Sequence, residues 1–469
     1  MALSRIWAAF FIVAILAATF QAVFTKNNTN IFSRMVSGSA GDTSQTRTLD
    51  TASLEPIILK TIQSNKQYVD GTTVYTKDSS GQYIAYYKQS ADGVIGTSKT
   101  AVDISINLIG IMALFMGFMS IAEKAGGINL LSRIIAPFFS KLFPELPKGH
   151  PAMGHMVMNF SANLLGLDNA ATPFGLKAME SLQELNPHKE TASNSQIMFL
   201  CLHASGLTLI PVSIIAIRAS LHATDPTDIF IPCMIATFAS TLAALLIVSF
   251  KQRINILQPA ILLWLLGISS AIALLVVYLK HLSTEGVQTF SGILSNGLIL
   301  FIFFIIILGG VYKKIDIFGS FIEGAKGGFE IAVKIIPYLV GMLVAISLLR
   351  TSGVFEFIID GMRNFFVMIG VDTRFVPGLP TALIRPLSGS AARGMMIDTM
   401  TTYGSNSFAG SLSSVLQGSS DTTFYVVAVY YGAVSVKNIR YSIGAMLMAD
   451  LVAIVTAIFL AYLFFGNAA

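Results

Sequence analysis

The stretch ILLWLLGISSAIALLVVYL, Ile261–Leu279, decides the fold class because it contains no charged residue. A second apolar run, GLILFIFFIIILGGVY, covers residues 297–312. A helix needs about 20 mostly apolar residues to span a bilayer. Of all 469 residues, 54% are hydrophobic and 12% are charged, whereas about 25% are charged in a typical soluble domain. The sequence therefore predicts an all-α polytopic membrane protein, with the lipid bilayer as its first partner.

The charged residues indicate an orientation in the membrane rather than a nucleic-acid partner. The net charge is +5, but the Lys and Arg residues lie singly at the ends of apolar runs, where they set membrane topology. By this rule the N-terminus is cytoplasmic and residues 26–100 lie on the outer side of the membrane. The first helix, within residues 1–25, is favoured as an uncleaved span over a signal peptide, because no clear cleavage site follows it.

Nine crossings are predicted. They are the first helix and residues 104–122, 195–219, 229–250, 260–280, 293–312, 331–349, 408–434 and 441–465. Two further apolar stretches, residues 151–180 and 376–402, are interrupted by Pro, Gly and polar residues. Irregular backbone at membrane depth is tolerated only against protein or a water-filled cavity, so these stretches are predicted to be re-entrant hairpins. The polar insert at 26–100 contains TTVYT and QYIAYYK, which predict a small β-hairpin.

An internal repeat is visible in the sequence. AVDISINLIGIM (101–112) aligns with AVKIIPYLVGML (332–343), and NAATPFGLKAM (169–179) aligns with SAARGMMIDTM (390–400). The two copies are predicted at residues 101–255 and 316–469, joined by a pair of spans at 256–315. The predicted topology inverts one copy relative to the other. Inverted repeats with discontinuous helices are typical of secondary transporters, which bind their substrates near the bilayer midplane.

Polar groups at corresponding positions of the two copies predict the site. The first copy has a hairpin tip at 159–175 and the break HASGLTLIP (203–211). The second has the tip RPLSGSAARG (385–394) and the break QGSSDTTFY (417–425). The predicted substrate-binding residues are Asn163, Asp168, Asn169, Thr172, His203, Ser205, Thr208, Arg385, Ser388, Ser390, Arg393, Gln417, Ser419, Ser420, Asp421, Thr422 and Thr423.

Alternatives remain open for the charged members of this set. An Asp within a membrane helix indicates function by default, although Asp421 is also a suitable cap for a half-helix. Histidine is the side chain that can titrate near neutral pH and couple proton movement, which is one interpretation of His203; the other is a hydrogen-bonded interior histidine. Arg385 and Arg393 either hold an anionic group or pair with Asp421 and Asp398.

Signals for catalysis and metal binding are missing from the sequence. It has no GxxxxGK[ST] phosphate loop and no HExxH motif, and its two cysteines, Cys201 and Cys233, lie in apolar stretches without metal-type spacing. We therefore expect neither enzymatic activity nor a cofactor. Coupling to Na⁺ or H⁺ is left open.

Several long motifs resemble known families. ELPKGHPAMGHMVMNFSANLLGLDNAATPFGLKAM (145–179) and SGLTLIPVSIIAIRAS (205–220) resemble spore maturation protein A. FIEGAKGGFEIAVKIIPYLVGMLVAISLLRTSG (321–353), RPLSGSAARG and QGSSDTTFYVVAVYYGAVSVKNIRY (417–441) resemble spore maturation protein B. The chain looks like a fusion of the two, joined near residues 251–290. Both carry the nucleoside-recognition or gate domain, and the resemblance implies membrane transport or gating.

The predicted function is that of an inner-membrane secondary transporter or gated permease for a small polar solute. A nucleoside-like compound, an amino acid and a small carboxylate all suit the hydroxyl, amide and charged groups of the predicted site. The chain lacks the carboxylate-bearing hairpin motif with which nucleoside carriers hold ribose. The alternative is a membrane scaffold or regulatory protein that keeps the gate fold without transport. Homo-oligomerisation is compatible with either function.

Overall fold

The structure is a computed structural model that describes residues 2–24, 31–48, 67–70, 73–77, 83–91, 93–147, 149–165, 168–282 and 284–466. The chain forms two compact units. One contains Leu3–Val102 and Val340–Gly370, and the other contains Asp103–Leu339 and Val371–Ala469. The chain passes between them within two long helices, α3 (Val94–Lys124) and α12 (Ile317–Thr351).

The first unit combines helices with a small sheet. Its elements, besides the start of α3 and the end of α12, are α1 (Ala2–Phe24), α2 (Ile31–Ser37), β1 (Ser39–Thr48), β2 (Gln67–Asp70), β3 (Thr73–Lys77), β4 (Tyr83–Ala91) and α13 (Val354–Met368). The antiparallel sheet has the order β1-β4-β3-β2. The predicted hairpin corresponds to β3 and β4, which pair from Thr73 opposite Tyr87 to Lys77 opposite Tyr83.

The second unit is helical. Its elements, besides most of α3 and α12, are α4 (Gly127–Leu142), α5 (Pro151–Leu164), α6 (Asp168–Leu185), α7 (Asn194–Ala204), α8 (Val212–Ser220), α9 (Phe230–Gln252), α10 (Pro259–Lys280), α11 (Thr284–Lys313), α14 (Leu379–Ile384), α15 (Gly389–Tyr403), α16 (Phe408–Gly418), α17 (Thr423–Ala433) and α18 (Ser442–Phe465). A 3₁₀ turn, Val376–Gly378, precedes α14. The core of the second unit contains large apolar side chains such as Phe139, Phe199 and Tyr431, which are almost fully buried.

Seven helices of the described chain are long and apolar enough to cross a membrane. They contain Trp7–Phe24, Val94–Lys124, Phe230–Gln252, Ile261–Leu279, Gly292–Lys313, Ile317–Thr351 and Ser442–Phe465. This confirms a helical, multi-pass membrane protein. The other two predicted crossings, residues 195–219 and 408–434, are not continuous helices. Each is divided into two shorter helices, α7 with α8 and α16 with α17.

The elements follow the same order twice along the chain. A long helix is followed by an amphipathic helix, a helical hairpin, a broken helix and a final span. The first series runs from α3 to α9 and the second from α12 to α18. Helix α4 is amphipathic, since the apolar side chains of Ile135 and Phe139 are buried while the polar side chains of Arg133 and Ser140 are exposed.

Candidate functional site

The first helix break separates α7 from α8. Helix α7 starts with a capping box in which the Ser193 hydroxyl accepts from Gln196 N–H at 3.2 Å. The helix ends at Ala204, and Gly206 then adopts a left-handed conformation with φ +65°, which glycine tolerates without strain. Pro211 has no N–H to continue a helix and stands immediately before α8. Residues 205–211 are therefore non-helical backbone within a membrane-embedded unit.

The second helix break separates α16 from α17. Ser407 caps the start of α16 by accepting from Gly410 N–H at 3.0 Å, and the helix ends at Gly418. The Ser419 hydroxyl donates to Leu416 O at 2.9 Å, so a side chain forms a hydrogen bond with a carbonyl at the C-terminal end of the helix. Residues 419–422 then pass without helical structure to α17.

Each break is hydrogen-bonded to one of the two hairpins. Leu209 N–H donates to Leu164 O, at the end of α5, at 2.9 Å. Phe424 N–H donates to Pro386 O, just after α14, also at 2.9 Å. The two breaks thus use the same kind of partner, the chain at the tip of a helical hairpin, to satisfy backbone groups that lipid would leave unpaired.

The two breaks also contact each other. Asp421 N–H donates to Ala204 O at 2.9 Å, a carbonyl in the last turn of α7 that lacks an intrahelical partner. A Cβ atom on Gly206 would lie 3.0 Å from Asp421 N. The broken helices therefore cross at backbone contact distance, and a residue without a side chain is needed at the crossing.

Asp421 places a carboxylate at this crossing. Its Oδ1 accepts from Thr422 N–H at 2.6 Å. Its Oδ2 lies 3.9 Å from His203 Nε2, and its Oδ1 lies 3.9 Å from Arg385 Nη2. The Asp421 side chain is 41% exposed, whereas those of His203 and Arg385 are 6% and 15% exposed. An accessible carboxylate thus lies between an imidazole and a guanidinium, each slightly beyond hydrogen-bond distance.

Arg385 holds the second break in place. Its Nε donates to Ser420 O at 2.9 Å, and its Nη2 contacts the same oxygen. Its Nη1 donates to Thr422 Oγ1 at 3.3 Å. Of the two roles predicted for this arginine, pairing with Asp421 is the one that the geometry favours, because the guanidinium fork already binds the backbone beside that carboxylate.

His203 lies among polar groups from the first hairpin. Its Nδ1 is 2.8 Å from Asn163 Nδ2 and 3.1 Å from Asn159 Oδ1. Its ring also packs edge-on against Tyr430, with centroids 4.9 Å apart. Thr172 hydrogen-bonds the Tyr430 side chain. The histidine therefore connects the hairpin, the first break and the α17 helix.

A second carboxylate lies behind the crossing. Asp450 of α18 is buried, and its Oδ2 accepts from Thr423 Oγ1 at 2.7 Å. The Ser420 side chain is a further partner of this carboxylate. Close by, Gln417 Nε2 donates to Gly389 O at 3.3 Å, while its buried Oε1 has no hydrogen-bond partner within the described chain.

The structure brings some of the predicted site residues together and separates others. Those at the crossing are Asn163, His203, Arg385, Ser420, Asp421 and Thr422, with Thr172, Gln417 and Thr423 one contact away. Four hydroxyls bond local backbone instead, namely Ser205 with Leu202 O, Thr208 with Gly206 O, Ser419 with Leu416 O and Ser388 with Ala391 N–H.

The remaining predicted residues lie further from the crossing or outside the described side chains. Ser390 is 3.3 Å from Ser388 near the start of α15, and Arg393 is half-buried one turn later. Asp168 and Asn169 begin α6, and their side chains lie outside the described residues. Within the described chain, no group of three His, Cys, Asp or Glu side chains is arranged to hold a metal ion.

Sequence reasoning does not single out Arg218, which is fully buried near the end of α8. Its Nη2 lies 2.9 Å from Asp228 Oδ1 and its Nη1 donates to Ser405 O at 3.0 Å. Burial raises the pKa of the Asp228 carboxyl to about 6, and the neighbouring Arg218 works against that rise. A buried arginine needs partners. The position of Arg218 within an apolar helix is therefore the sequence signal that could have identified it.

The loops at this end of the broken helices are joined by further hydrogen bonds. Thr224 N–H donates to Asn406 Oδ1 at 2.9 Å, and Asn406 Nδ2 donates to Thr224 Oγ1 at 2.9 Å. Ser405 Oγ donates to Leu221 O at 3.1 Å. The end of α8 is thus fastened to the start of α16. We call residues 218–228 with residues 404–407 the first clasp.

A second clasp joins the opposite ends, residues 190–194 and residues 437–440. Lys437 N–H and Asn438 N–H both donate to Glu190 O at 2.9 Å, and Ala192 N–H donates to Asn438 O at 2.9 Å. Arg440 Nη1 donates to Asn194 Oδ1 at 2.9 Å. The start of α7 is thus fastened to the chain that follows α17.

Comparison with known proteins identifies the family. The family model of the Gate domain, described as "Nucleoside recognition", matches residues 105–221 and again residues 332–437. Spore maturation protein B of Bacillus subtilis (strain 168) is 50% identical over 163 residues, which cover 35% of this chain and 90% of that protein. Spore maturation protein A of the same organism is 44% identical over 156 residues, which cover 33% of this chain and 80% of that protein. The chain therefore belongs to the family of spore maturation proteins A and B and carries two segments of the nucleoside-recognition Gate type.

Proposed function

We propose that this protein is a secondary transporter or gated permease for a small polar solute. The observation that carries the proposal is the crossing of two broken helices, where the exposed carboxylate of Asp421 lies between His203 and Arg385. Discontinuous helices that meet at polar groups form the binding sites of many transporters. A charge within a membrane protein is costly and marks function by default.

The two clasps support an inverted arrangement of the gate segments. The end of α8 contacts the start of α16, and the start of α7 contacts the chain after α17. Two broken helices whose opposite ends meet in this way run in opposite directions. In our proposal the first segment, within residues 101–255, is spore maturation A-like, and the second, within residues 316–469, is spore maturation B-like.

The proposed location is the inner membrane of a bacterium. The N-terminus faces the cytoplasm, residues 26–100 lie outside, and residues 151–180 and 376–402 enter the membrane without crossing it. The first clasp then faces outwards and the second faces the cytoplasm. This orientation rests on the positions of Lys and Arg at the helix ends.

A non-transporting membrane scaffold is the second candidate. The hydroxyls of Ser205, Thr208 and Ser419 favour it, because each donates to nearby backbone. A scaffold does not account for Asp421, however, whose side chain is accessible while those of His203 and Arg385 are largely buried.

A thermal-shift screen of the purified protein tests the proposal. Nucleosides, amino acids and small carboxylates are added in turn, and a bound solute is expected to raise the unfolding temperature by mass action. The Asp421→Asn variant should lose this stabilisation. The control Asp360→Asn, which removes the same charge from an exposed pair with Arg363, should keep it. If no solute stabilises the wild type, or if Asp421→Asn responds equally, the scaffold function is favoured.

A further inference from the structure

We propose that His203 and Asp421 form a proton-binding pair at the crossing of the two broken helices, and that this proton is the ion coupled to solute movement. The coupling rests on the proposed function, whereas proton binding by the pair does not. The pair stands out because a buried imidazole and an accessible carboxylate face each other across 3.9 Å.

The surroundings of His203 Nδ1 suit both protonation states of the ring. Asn159 Oδ1 lies 3.1 Å away and accepts a hydrogen bond, whereas Asn163 Nδ2 lies 2.8 Å away and donates one. Asn159 is fixed in this orientation because its Nδ2 donates to Ala171 O at 2.7 Å. Nδ1 therefore has an acceptor when it carries a hydrogen and a donor when it does not. A buried polar group keeps a partner in either state.

The other ring nitrogen faces the carboxylate. Asp421 Oδ2 is 3.9 Å from His203 Nε2, and a nearby opposite charge favours the charged imidazole. When His203 is neutral, Asp421 still has Arg385 Nη2 3.9 Å from its other oxygen. Neither loading nor loss of the proton leaves an isolated charge at the crossing, so both states are available to the folded protein.

Other titratable groups near the pair come from three helices. Tyr430 of α17 packs against the His203 ring, and its hydroxyl is occupied by Thr172 and Asn159. Arg385 follows α14. Asp450 of α18 is a second acidic group near Asp421, and it accepts from Thr423. Among these groups, Asp421 is the one with both an imidazole neighbour and an exposed side chain.

Exposure and ligand chemistry favour a proton over a metal cation. The Asp421 side chain is 41% exposed and that of His203 is 6% exposed, so the carboxylate provides the access to the imidazole. Hard metal cations are bound by several oxygen ligands. Here nitrogen groups flank the carboxylate on both sides, and a guanidinium repels a metal cation. A proton on the imidazole needs no further ligand.

Nuclear magnetic resonance of the full-length protein in lipid nanodiscs tests proton binding without any solute. The histidine rings are labelled with ¹⁵N, and His203→Gln identifies the His203 signals among the six histidines. We expect those signals to change from the charged to the neutral form as the pH is raised across the range in which the protein stays folded. Asp421→Asn should lower the midpoint by about one pH unit or more, because it removes the neighbouring charge. The control Asp360→Asn should leave it unchanged.

Two amide variants keep the test decisive if Asp421→Asn does not fold. Asn159→Leu removes the acceptor of the Nδ1 hydrogen and should lower the midpoint. Asn163→Leu removes the donor to the unprotonated Nδ1 and should raise it. A general packing defect would move both midpoints in the same direction. That result, or His203 signals that do not change with pH in the folded wild type, would overturn the proton site.

Solute uptake into proteoliposomes then separates coupling from binding. Uptake that follows an imposed proton gradient in the wild type, and not in His203→Gln, supports the coupling. Uptake that ignores the gradient while His203 titrates would remove the coupling and leave the proton site. A titrating His203 in a protein that moves none of the tested solutes would count against the proposed function alone.

Discussion

Gly206 sets how closely the two broken helices approach each other. Its φ of +65° lies in the left-handed region, and a Cβ atom there would lie 3.0 Å from Asp421 N. We expect Gly206→Ala to lower the free energy of unfolding by about 1–3 kcal/mol, the typical cost of a strained backbone conformation. The same change should displace Asp421 and weaken any solute stabilisation. Thermal unfolding with and without solute measures both effects.

Gly154 provides the matched control. It lies within α5, its φ is not positive, and a Cβ atom there would have no neighbour within 4 Å. Gly154→Ala should be neutral or slightly stabilising, since alanine is preferred to glycine in a helix by roughly 0.5–1 kcal/mol. Equal effects of the two substitutions would show that the crossing does not depend on the conformation of Gly206.

At this scale the sequence predicts which residues are unusual better than what they contact. Asp421 is recognisable as a carboxylate in an apolar context, and it does lie at the crossing. Ser419 and Ser205 look equally suitable, but their hydroxyls donate to carbonyls three residues earlier in their own helices. Tyr430 has no sequence signal at all. Its contact with His203 joins residues more than 200 positions apart, so it depends on the tertiary fold.

At the scale of elements, the broken helices follow from local chemistry. Gly206 and Pro211 end one helix and start the next, as the sequence predicts. The breaks predicted within the crossings at 195–219 and 408–434 correspond to residues 205–211 and 419–422, where the structure divides each crossing into two helices. Helix α14 has only six residues. The sequence therefore predicts that the apolar stretch at 376–402 is interrupted, but it does not predict the two helices, α14 and α15, that form this hairpin.

The first clasp contains an ion pair between the buried Arg218 and the partly exposed Asp228. Removing Asp228 alone would leave the buried Arg218 charge unpaired, which costs about 3–5 kcal/mol in comparable sites. We expect Asp228→Asn and Arg218→Met to be destabilising singly, and the double variant to cost less than their sum. Denaturant unfolding in detergent gives the coupling free energy, with values of about 0.5–3 kcal/mol typical for contacting residues.

Acid should weaken that coupling. The pKa of the Asp228 carboxyl is raised to about 6 by burial, with Arg218 opposing the rise, so the carboxylate is ionised above this pH and protonated below it. The coupling free energy should therefore be smaller at acidic pH than at neutral pH. The exposed pair Arg363–Asp360 is the control cycle, with an expected coupling of about 0–1 kcal/mol. If the coupling free energy between Arg218 and Asp228 at neutral pH is as small as that of the control pair, the two residues do not stabilise the first clasp as an ion pair.

At the scale of the whole molecule, the two clasps set a condition for transport. Both ends of the broken helices are joined in this structure. Alternating access requires one repeat to move against the other around a fixed site. Such a movement would separate the two sides of each clasp in turn. Under the proposed function, transport therefore requires the hydrogen bonds of each clasp to break.

Cross-linking a clasp should therefore stop transport without abolishing solute binding. Thr191 and Asn438 pair as a β-bridge in the second clasp, so Thr191→Cys with Asn438→Cys places two thiols side by side. Oxidation should arrest solute uptake in proteoliposomes and reductant should restore it, while the thermal shift with solute persists. The single-cysteine variants are the controls, since Cys201 and Cys233 are buried. Undiminished uptake by fully cross-linked protein would mean that these loops do not separate during transport.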